Sequence, residues 1–209
     1  ISRYSKRLKE FGATAKTLGW DKERHFLRYH ILLSQWDYQG DSVLDFGCGF
    51  GDMYYYIQRN NLDIKYFGAD INPALLNQGK QKYPNVELRE VDFLREENSR
   101  NYDYIMSSGV HNFKLEDNWA FIENTMSKFN QCASKGFALN FISNKVDESH
   151  KQDHLYYTDP VAVIELAYSF SRRVTLRNDY MPFEFTIFVD KRDNFDSKKV
   201  IYNKYLKYC

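Results

Sequence analysis

The most informative segment of this 209-residue chain is Ser42-Val-Leu-Asp-Phe-Gly-Cys-Gly-Phe-Gly51. A short apolar run meets an acidic residue and then three alternating glycines, which predicts a buried strand that breaks into a loop. Because glycine lacks a Cβ, the backbone at Gly47, Gly49 and Gly51 can adopt positive φ and approach a ligand closely. A helix is predicted directly afterwards, over residues 52–59. Free backbone N–H groups and the positive end of a helix dipole would then face a bound small molecule.

The spacing of the loop argues against a phosphate ligand. A dinucleotide-binding fingerprint, G-x-G-x-x-G, needs its last glycine where this chain has Asp52, whose carboxylate would repel a pyrophosphate. The lysine of a P-loop is also missing from the position after Gly51. The observed order is Asp45, an apolar residue and then G-x-G-x-G, which resembles motif I of the class I S-adenosylmethionine-dependent methyltransferases. Their cofactor carries a sulfonium and an ammonium group, which an acidic neighbourhood tolerates.

Acidic or small residues follow the next three predicted strands at the expected distances. The strand 64–69 ends in Asp70, roughly 20 residues after the loop, where an acid can hold a ribose diol. The strand 86–91 runs into Asp92 and Phe93, an acceptor for an adenine amino group beside an apolar ring. The fourth strand, 102–108, is followed by a glycine. Four strand ends of this kind form a much more specific signal than one glycine loop.

Residues 43–142 therefore resemble the class I methyltransferase core. The resemblance implies S-adenosyl-L-methionine as cofactor and an α/β fold: a doubly wound, Rossmann-like seven-stranded sheet whose last strand is antiparallel and inserted between the fifth and sixth. It implies that the glycine loop surrounds the amino-acid end of the cofactor, while the acids after the second and third strands bind ribose and adenine. The implied cofactor-binding residues are Asp45, Gly47, Cys48, Gly49, Asp70, Ile71, Asp92, Phe93 and Ser108.

The rest of the chain continues the alternation of strands and helices. Predicted helices at 73–82, 116–131 and 160–170 alternate with strands, of which the last three are at 135–142, 173–180 and 183–190; the alternation indicates a parallel sheet with right-handed crossovers. Ligands in such sheets bind beyond the carboxyl ends of the strands. We predict a single methyltransferase domain over 1–209, with an N-terminal helical lid at 1–40, a Rossmann-like core at 41–190 and a peripheral tail at 191–209.

Two segments outside the motifs supply candidate substrate contacts. N-terminal elements of the family commonly cover the cofactor pocket, although a solvated basic face with one anchoring tryptophan is an equally good interpretation here. The polar stretch 143–158 leaves the fifth strand at its carboxyl end, which favours a loop that faces the substrate. Its His150 and His154 lack a metal-binding frame, so no metal is expected. The candidate substrate-binding residues are Tyr4, Trp20, Arg28, Tyr156 and Tyr157.

A hydroxyl acceptor would require a base, and three residues are candidates for catalysis. His111 follows the fourth strand closely, although a packed or helix-capping histidine is a competing interpretation. Asp179 and Tyr180 end the strand 173–180, next to a turn at 181–182 that is expected at the same edge of the sheet, although Asp179 could equally be an ordinary turn residue. The sequence 107–112, Ser-Ser-Gly-Val-His-Asn, lacks the Asn-Pro-Pro-aromatic motif of many enzymes that methylate base or amide nitrogens.

Composition and net charge limit the kinds of molecule that the protein is expected to bind. The net charge of +1 argues against a broad nucleic-acid surface, and three cysteines are too few for a disulfide framework. The first residues are too charged for a signal peptide, and no apolar run approaches ~18 residues, so we expect a cytoplasmic protein without a membrane span. The hypothesis is methyl transfer to a small polar acceptor, through a hydroxyl of a metabolite or of a polysaccharide-precursor sugar. The alternatives are a small-molecule N-methyltransferase, a non-catalytic cofactor-binding partner subunit and, third, a nicotinamide-dependent dehydrogenase. The oligomeric state stays open.

Overall fold

The fold, in a computed structural model that describes residues 2–19, 24–97 and 101–209, is built on one mixed sheet. Its strands are β1 (Asp41–Phe46), β2 (Ile64–Asp70), β3 (Leu88–Glu90), β4 (Tyr102–Ser107), β5 (Ala133–Ile142), β6 (Arg173–Arg177) and β7 (Glu184–Asp190). The α-helices are α1 (Ser2–Phe11), α2 (Arg24–Leu33), α3 (Asp52–Arg59), α4 (Pro73–Lys82), α5 (Asn118–Cys132) and α6 (Pro160–Tyr168). None of the helices in the described ranges is long and apolar enough to cross a membrane.

The strand order is β3-β2-β1-β4-β5-β7-β6. The first five strands are parallel, and β7 runs antiparallel between β5 and β6. The predicted doubly wound sheet with an inserted antiparallel last strand is therefore confirmed. In the register, Phe46 at the end of β1 is paired with Ala69 on one side and Ser107 on the other. The carboxyl ends of the central strands thus meet at one edge, where the glycine loop emerges.

The sheet is buried on both faces. Along β5, Phe137, Leu139 and Phe141 point into a cluster formed with α5 and α6, whereas Ala138 belongs to the cluster formed with α2 and α3. Each fully buried large apolar side chain contributes ~1.5–3 kcal/mol of transfer free energy. Burial on both faces explains why consecutive residues of the central strands, such as Val43-Leu44 and Ile105-Met106, are both apolar and buried. The rigid centre fixes the positions of the loops at the carboxyl edge.

Some element ends differ from the sequence-based prediction. β3 is three residues long, and β6 stops at Arg177 because the chain turns through residues 178–183 before β7. α2 ends at Leu33, and the indole of Trp36, three residues further on, donates to Asp190 at 3.2 Å.

The tail forms more structure than the sequence indicated. Strands β8 (Phe195–Asp196) and β9 (Ile201–Tyr202) form a small hairpin, followed by a 3₁₀ helix over Asn203–Tyr208. The guanidinium of Arg173 on β6 lies 4.2 Å from the ring centroid of Tyr202. This cation–π contact attaches the tail to the edge of the sheet.

Candidate active site

The glycine loop is held between β2 and the segment that follows β4. All three glycines have left-handed φ: +73° at Gly47, +57° at Gly49 and +78° at Gly51. The N–H of Gly47 donates to the carbonyl of Ala69 at 2.8 Å, which fixes the loop on β2. A Cβ placed on Gly47 would lie 2.3 Å from Cγ2 of Val110, a separation that real side chains do not adopt. The loop therefore requires glycine for its backbone conformation and for its close packing.

Asp70 stands at the carboxyl end of β2, beside the loop. Its carboxylate accepts from the N–H of Gly49 at 2.9 Å and from the N–H of Asn72 at 2.8 Å. Burial raises the pKa of Asp70, and these backbone donors oppose that shift. The next residue, Ile71, is 49% exposed and leaves an apolar surface beside the carboxylate. An acid next to an exposed apolar side chain fits a ribose and the base attached to it.

Asp45 forms an acidic floor under the loop. It is 2% exposed, and its carboxylate accepts from the hydroxyl of Tyr66 at 2.9 Å. Burial raises the pKa of Asp45 to about 7; the Tyr66 hydrogen bond opposes the shift, and the charges of Asp70 and Asp52 add to it. A buried carboxyl with other carboxylates nearby stabilises a cation that approaches it. The sulfonium and ammonium groups of the family's cofactor have the required charge.

Asp52 plays a different part from the one its position in the sequence suggested. Its side chain is 4% exposed, and the carboxylate oxygen lies 2.7 Å from Nζ of Lys82 and 2.7 Å from the hydroxyl of Tyr83. The charge of Asp52 is therefore compensated by α4 and its C-terminus. The electrostatic case against a pyrophosphate at the loop accordingly rests more on Asp45 and Asp70.

The two residues predicted to bind adenine, Asp92 and Phe93, differ in exposure. The side chain of Asp92 is half exposed after β3. Phe93 is 2% exposed, with its ring centroid 6.1 Å from that of Phe46 and 6.4 Å from that of Phe129. The Phe93 ring is thus a core residue, and the expectation that it presents a face to the adenine is corrected. Its position after an edge strand looked like an open one, but α5 covers it.

A cavity of about 220 Å³ opens beyond the carboxyl ends of β4 and β5. Leu18 lines it, and the Leu18 side chain would lie 3.1 Å from a Cβ placed on Gly49. The same side chain therefore covers the glycine loop and borders the cavity, so the two spaces adjoin. The lining residues come from α1 and α2, from the segments after β4 and β5, and from the residues before α2: Arg3, Leu18, Gly19, Arg24, Arg28, Gly109, Asn112, Phe113, Ile142, Gln152, His154 and Leu155.

The polar stretch 143–158 forms one wall of this cavity. It is attached to the segment after β4, since the N–H of Tyr156 donates to the carbonyl of Asn112 and the N–H of Lys114 donates to the carbonyl of His154, both at 3.1 Å. The hydroxyl of Tyr157 accepts from the N–H of Gln152 at 2.8 Å. The two predicted tyrosines therefore support the wall, while neighbouring side chains of the same stretch line the cavity.

The N-terminal candidates lie near the site as far as they are described. The ring of Tyr4 contacts the ring of Phe113 edge-on at 6.1 Å, and burial together with the charge of Asp70 raises the pKa of Tyr4 to about 12. Arg28 lines the cavity and is paired with Glu184 of β7. The third N-terminal candidate, Trp20, lies outside the described residues.

The three candidate catalytic residues do not line the cavity. His111 is 1% exposed between the rings of Phe121 and Phe141, and burial lowers its pKa to about 3. Asp179 is exposed on the β6–β7 turn and binds the Arg177 guanidinium at 3.2 Å, which holds its pKa below the ordinary value. The hydroxyl of Tyr180 is hydrogen-bonded to Thr186 at 2.8 Å. Asp179 and Tyr180 do not line the cavity, because their side chains bind Arg177 of β6 and Thr186 of β7.

Sequence reasoning missed Asn112, which lines the cavity, and Asn140, which holds the segment after β4. The side-chain oxygen of Asn112 is buried without a hydrogen-bond partner, in a residue that lines the cavity. The hydroxyl of Ser108, a predicted cofactor contact, is likewise buried and unpartnered. Asn140 of β5 positions this segment, because its side-chain oxygen accepts from the N–H of Gly109 at 2.7 Å. Buried polar atoms without partners are costly, so they indicate a place where a ligand supplies the missing bonds. The only sequence signal for Ser108 and Asn112 was their proximity to Gly109, a glycine that follows a strand.

Metal ligation has little support in the part of the chain that is described. No group of three or more His, Cys, Asp or Glu side chains is arranged to hold an ion among residues 2–19, 24–97 and 101–209. The ring of His150 lies 5.0 Å from that of Phe183, and His154 is stacked against Phe113 at 6.1 Å.

Comparisons with known proteins agree with this geometry. A family model described as a methyltransferase domain matches residues 43–130. A protein of Mycobacterium tuberculosis (strain ATCC 25618 / H37Rv), named "Putative methyltransferase Rv1506c", is 32% identical over 156 residues, which are 72% of this chain and 93% of that protein. The chain belongs to the class I S-adenosylmethionine-dependent methyltransferase family. The family's methyl donor, S-adenosylmethionine, is the cofactor that the loop and its acids predict.

Solved structures of low sequence identity share the fold. Magnesium protoporphyrin IX methyltransferase from Synechocystis PCC 6803, with bound S-adenosylhomocysteine, superposes with a TM-score of 0.68 at 13% identity and covers 92% of this chain and 99% of its own. CalS10, an amino pentose methyltransferase from Micromonospora echinaspora, gives a TM-score of 0.61 at 10% identity over 81% of this chain and 89% of its own. Their acceptors differ widely, so the fold alone does not identify the acceptor.

Proposed function

We propose that this protein transfers the methyl group of S-adenosylmethionine to a hydroxyl of a small polar acceptor held in the 220 Å³ cavity. The observation that carries the proposal is the contact of Leu18 with both the glycine loop and the cavity, which makes donor and acceptor spaces neighbours. Pockets for drug-sized ligands measure ~300–1,000 Å³. A smaller cavity suits a small metabolite or a single sugar unit.

The residues of the cofactor side fit S-adenosylmethionine. Asp70 would accept from the ribose hydroxyls and Ile71 would cover the base, while Asp92 stays a candidate for the adenine amino group. Asp45 would stabilise the positive charges of the amino-acid end and the sulfonium. The unpartnered hydroxyl of Ser108 is available to the same end of the cofactor. A nicotinamide dinucleotide fits these residues less well, because its pyrophosphate would be repelled by the carboxylates of Asp45 and Asp70.

The reaction requires positioning more than chemical assistance. Methyl transfer from a sulfonium is an in-line displacement, so holding the acceptor oxygen near the methyl group supplies most of the rate acceleration. A hydroxyl also has to lose its proton, and a positioned base contributes ~10²–10⁴-fold. Of the lining residues that the structure describes, His154 has an imidazole that can accept a proton, and we assign the proton transfer to it. His111 is buried between two rings without a polar partner, which argues against that role.

An amine acceptor is the first alternative, because an amine that is already neutral needs no base. A non-catalytic cofactor-binding subunit is the second, and the open cavity beside the loop argues against it. Both acceptor chemistries need only a small-molecule substrate, without nucleic acid or membrane. We further propose a reducing compartment, the cytoplasm, because Cys48, Cys132 and Cys209 are all free thiols.

Methyl-labelled S-adenosylmethionine and a panel of small acceptors test this proposal. We expect label to enter a hydroxylated compound and S-adenosylhomocysteine to form in equal amount. The matched control is Asp70→Asn, which should bind the donor poorly and lose transfer to the same acceptor. Label found only in amines would favour the first alternative; donor binding with no transfer to any compound class would favour the second.

A further inference from the structure

Asn112 brings an unpaired amide oxygen to the acceptor cavity. The residue lines the cavity and is 5% exposed. Its side-chain oxygen is buried and has no hydrogen-bond partner among the described residues. A buried polar atom without a partner is unfavourable. A ligand that fills the cavity can supply the missing hydrogen bond.

The backbone around Asn112 is held in place from two sides. Its carbonyl accepts from the N–H of Tyr156 at 3.1 Å. The N–H of Gly109, three residues earlier, donates to the side-chain oxygen of Asn140 at 2.7 Å. The preceding residue, His111, packs its ring into the core. Of residues 110–112, Asn112 is therefore the one that lines the cavity, and its amide is in a fixed position.

Asn112 and His154 are neighbours across two paired segments of the chain. Phe113 and Leu155 form an antiparallel bridge, and the N–H of Lys114 donates to the carbonyl of His154 at 3.1 Å. Asn112 and His154 each precede one member of the bridge, so they are diagonal neighbours with Cα atoms about 7–8 Å apart. Both residues line the cavity. One small molecule can therefore contact the amide of Asn112 and the imidazole of His154 together.

A hydroxyl is the group that fits this amide best. It donates one hydrogen bond and accepts others, so it can pair with either polar atom of the amide. An ammonium group also donates, but a neutral amide compensates little of the cost of burying its charge. An ionised carboxylate has no hydrogen to donate to the unpaired oxygen.

We propose that the acceptor is a vicinal diol, as on a sugar ring, in which one hydroxyl is methylated and its neighbour binds Asn112. The methylated hydroxyl gives its proton to the imidazole of His154. Its oxygen forms a bond to the methyl carbon while the carbon–sulfur bond breaks, and the electron pair of that bond stays on the sulfur. Asn112 would thereby select which hydroxyl faces the methyl donor. The inference rests on the proposed function, since it assigns the substrate class of the same cavity.

Matched diols and alcohols test the inference on the native protein. Catechol is compared with phenol, and cis-cyclohexanediol with vicinal hydroxyls is compared with cyclohexanol. Each compound is titrated by NMR with and without saturating S-adenosylhomocysteine, and each is offered as acceptor with methyl-labelled S-adenosylmethionine. We expect at least one diol to bind about tenfold more tightly than its matched alcohol, because it adds a hydrogen bond to an atom that is otherwise unpaired. Equal affinities within both pairs, or no binding of either diol, would overturn the inference.

Two asparagine variants assign the preference for diols to the cavity. Asn112→Leu keeps a similar volume and removes an oxygen without a protein partner, so the fold and the affinity for S-adenosylhomocysteine should persist while the preference is lost. Asn130→Leu is the matched control, because its oxygen on α5 is also buried and unpaired but Asn130 is not among the residues that line the cavity. The control should keep the preference. A preference that survives Asn112→Leu, or that both variants lose equally, would overturn the inference.

The inference and the proposed function can fail separately. If S-adenosylhomocysteine does not bind, the proposed function is contradicted, while the titrations without it still measure the preference for diols. If label enters phenol and cyclohexanol as readily as the diols, transfer to a hydroxyl stands and the inference is contradicted.

Discussion

Arg28 on α2 and Glu184 at the start of β7 form a two-pronged ion pair across 156 positions of sequence. One contact joins Nε to Oε2 at 2.7 Å, and the second joins Nη2 to Oε1. Both side chains are largely buried, with 8% and 12% of their surfaces exposed. The pair ties the N-terminal cover of the site to the inserted antiparallel strand, so the cavity wall depends on it.

Removing one partner of this pair should destabilise the fold. Glu184→Gln removes a carboxylate from the buried guanidinium of Arg28, and breaking a buried ion pair costs ~3–5 kcal/mol. We expect a clear fall in the free energy of unfolding, measured by urea denaturation. Glu165→Gln removes an exposed carboxylate on α6 and serves as the matched control, with little change expected. If both variants were equally stable, the pair would have no structural role.

Asp45 should make stability fall as the pH rises. Its pKa moves from 3.8 to about 7 in the folded state, so the folded protein holds a proton that the unfolded chain has lost, and stability declines as pH rises through about 7. One pKa unit corresponds to ~1.4 kcal/mol, so ~2–3 kcal/mol should be lost between about pH 5 and 8.5. Asp45→Asn should remove this loss and weaken cofactor binding.

Denaturation curves at about pH 5 and about pH 8.5 check the direction of this pH dependence of stability. The advantage of Asp45→Asn over the native protein should be larger at the higher pH. Asp63→Asn, an exposed acid before β2, is the control and should show no such dependence. An advantage that is greatest at low pH would contradict the assignment.

Gly47 should be irreplaceable for two separable reasons. Its φ of +73° costs a side chain ~1–2 kcal/mol, and overlap with Val110 at 2.3 Å adds ~1–3 kcal/mol. Gly12 has a similar φ of +61° with nothing within 4 Å of an added Cβ. Gly47→Ala should therefore lower the melting temperature more than Gly12→Ala, and Val110→Ala combined with Gly47→Ala should recover part of the difference. Equal effects of the two single substitutions would mean that the close approach is relieved by movement of the loop.

Substitutions of His154 and of His111 should have different effects, the first on catalysis and the second on packing. His154→Ala should lower kcat ~10²–10⁴-fold with little change in stability, because the side chain is exposed at the cavity. His111→Ala should act chiefly on stability, because it empties a site between Phe121 and Phe141. Steady-state kinetics and thermal melts distinguish them. The reverse pattern would restore His111 as the base.

Sequence periodicity predicted the fold because both faces of the sheet are buried and each strand ends in a polar or glycine residue. It also predicted that Asp45, Gly47 and Asp70 lie together at the ends of β1 and β2, and their binding of the cofactor stays a prediction. It failed for Phe93, since no local pattern tells a ring that packs under α5 from one that faces a cleft. Arg3 and Asn112 were missed because their positions depend on how α1 and the wall 143–158 close over the sheet. The repulsion of a pyrophosphate by Asp52 was overestimated, because Lys82 on the next helix compensates the charge of Asp52.

Calorimetric titration with S-adenosylmethionine, S-adenosylhomocysteine and NAD, on the native protein and on Asp70→Ala, measures whether the glycine loop and Asp70 bind the methyl donor. We predict micromolar affinity for the first two and none for NAD. Asp70→Ala should weaken that affinity by more than ~1.5 kcal/mol, because charge-assisted hydrogen bonds are lost, whereas Asp63→Asn should not. Binding of NAD, or an Asp70→Ala variant that binds S-adenosylhomocysteine as tightly as the native protein, would contradict the account.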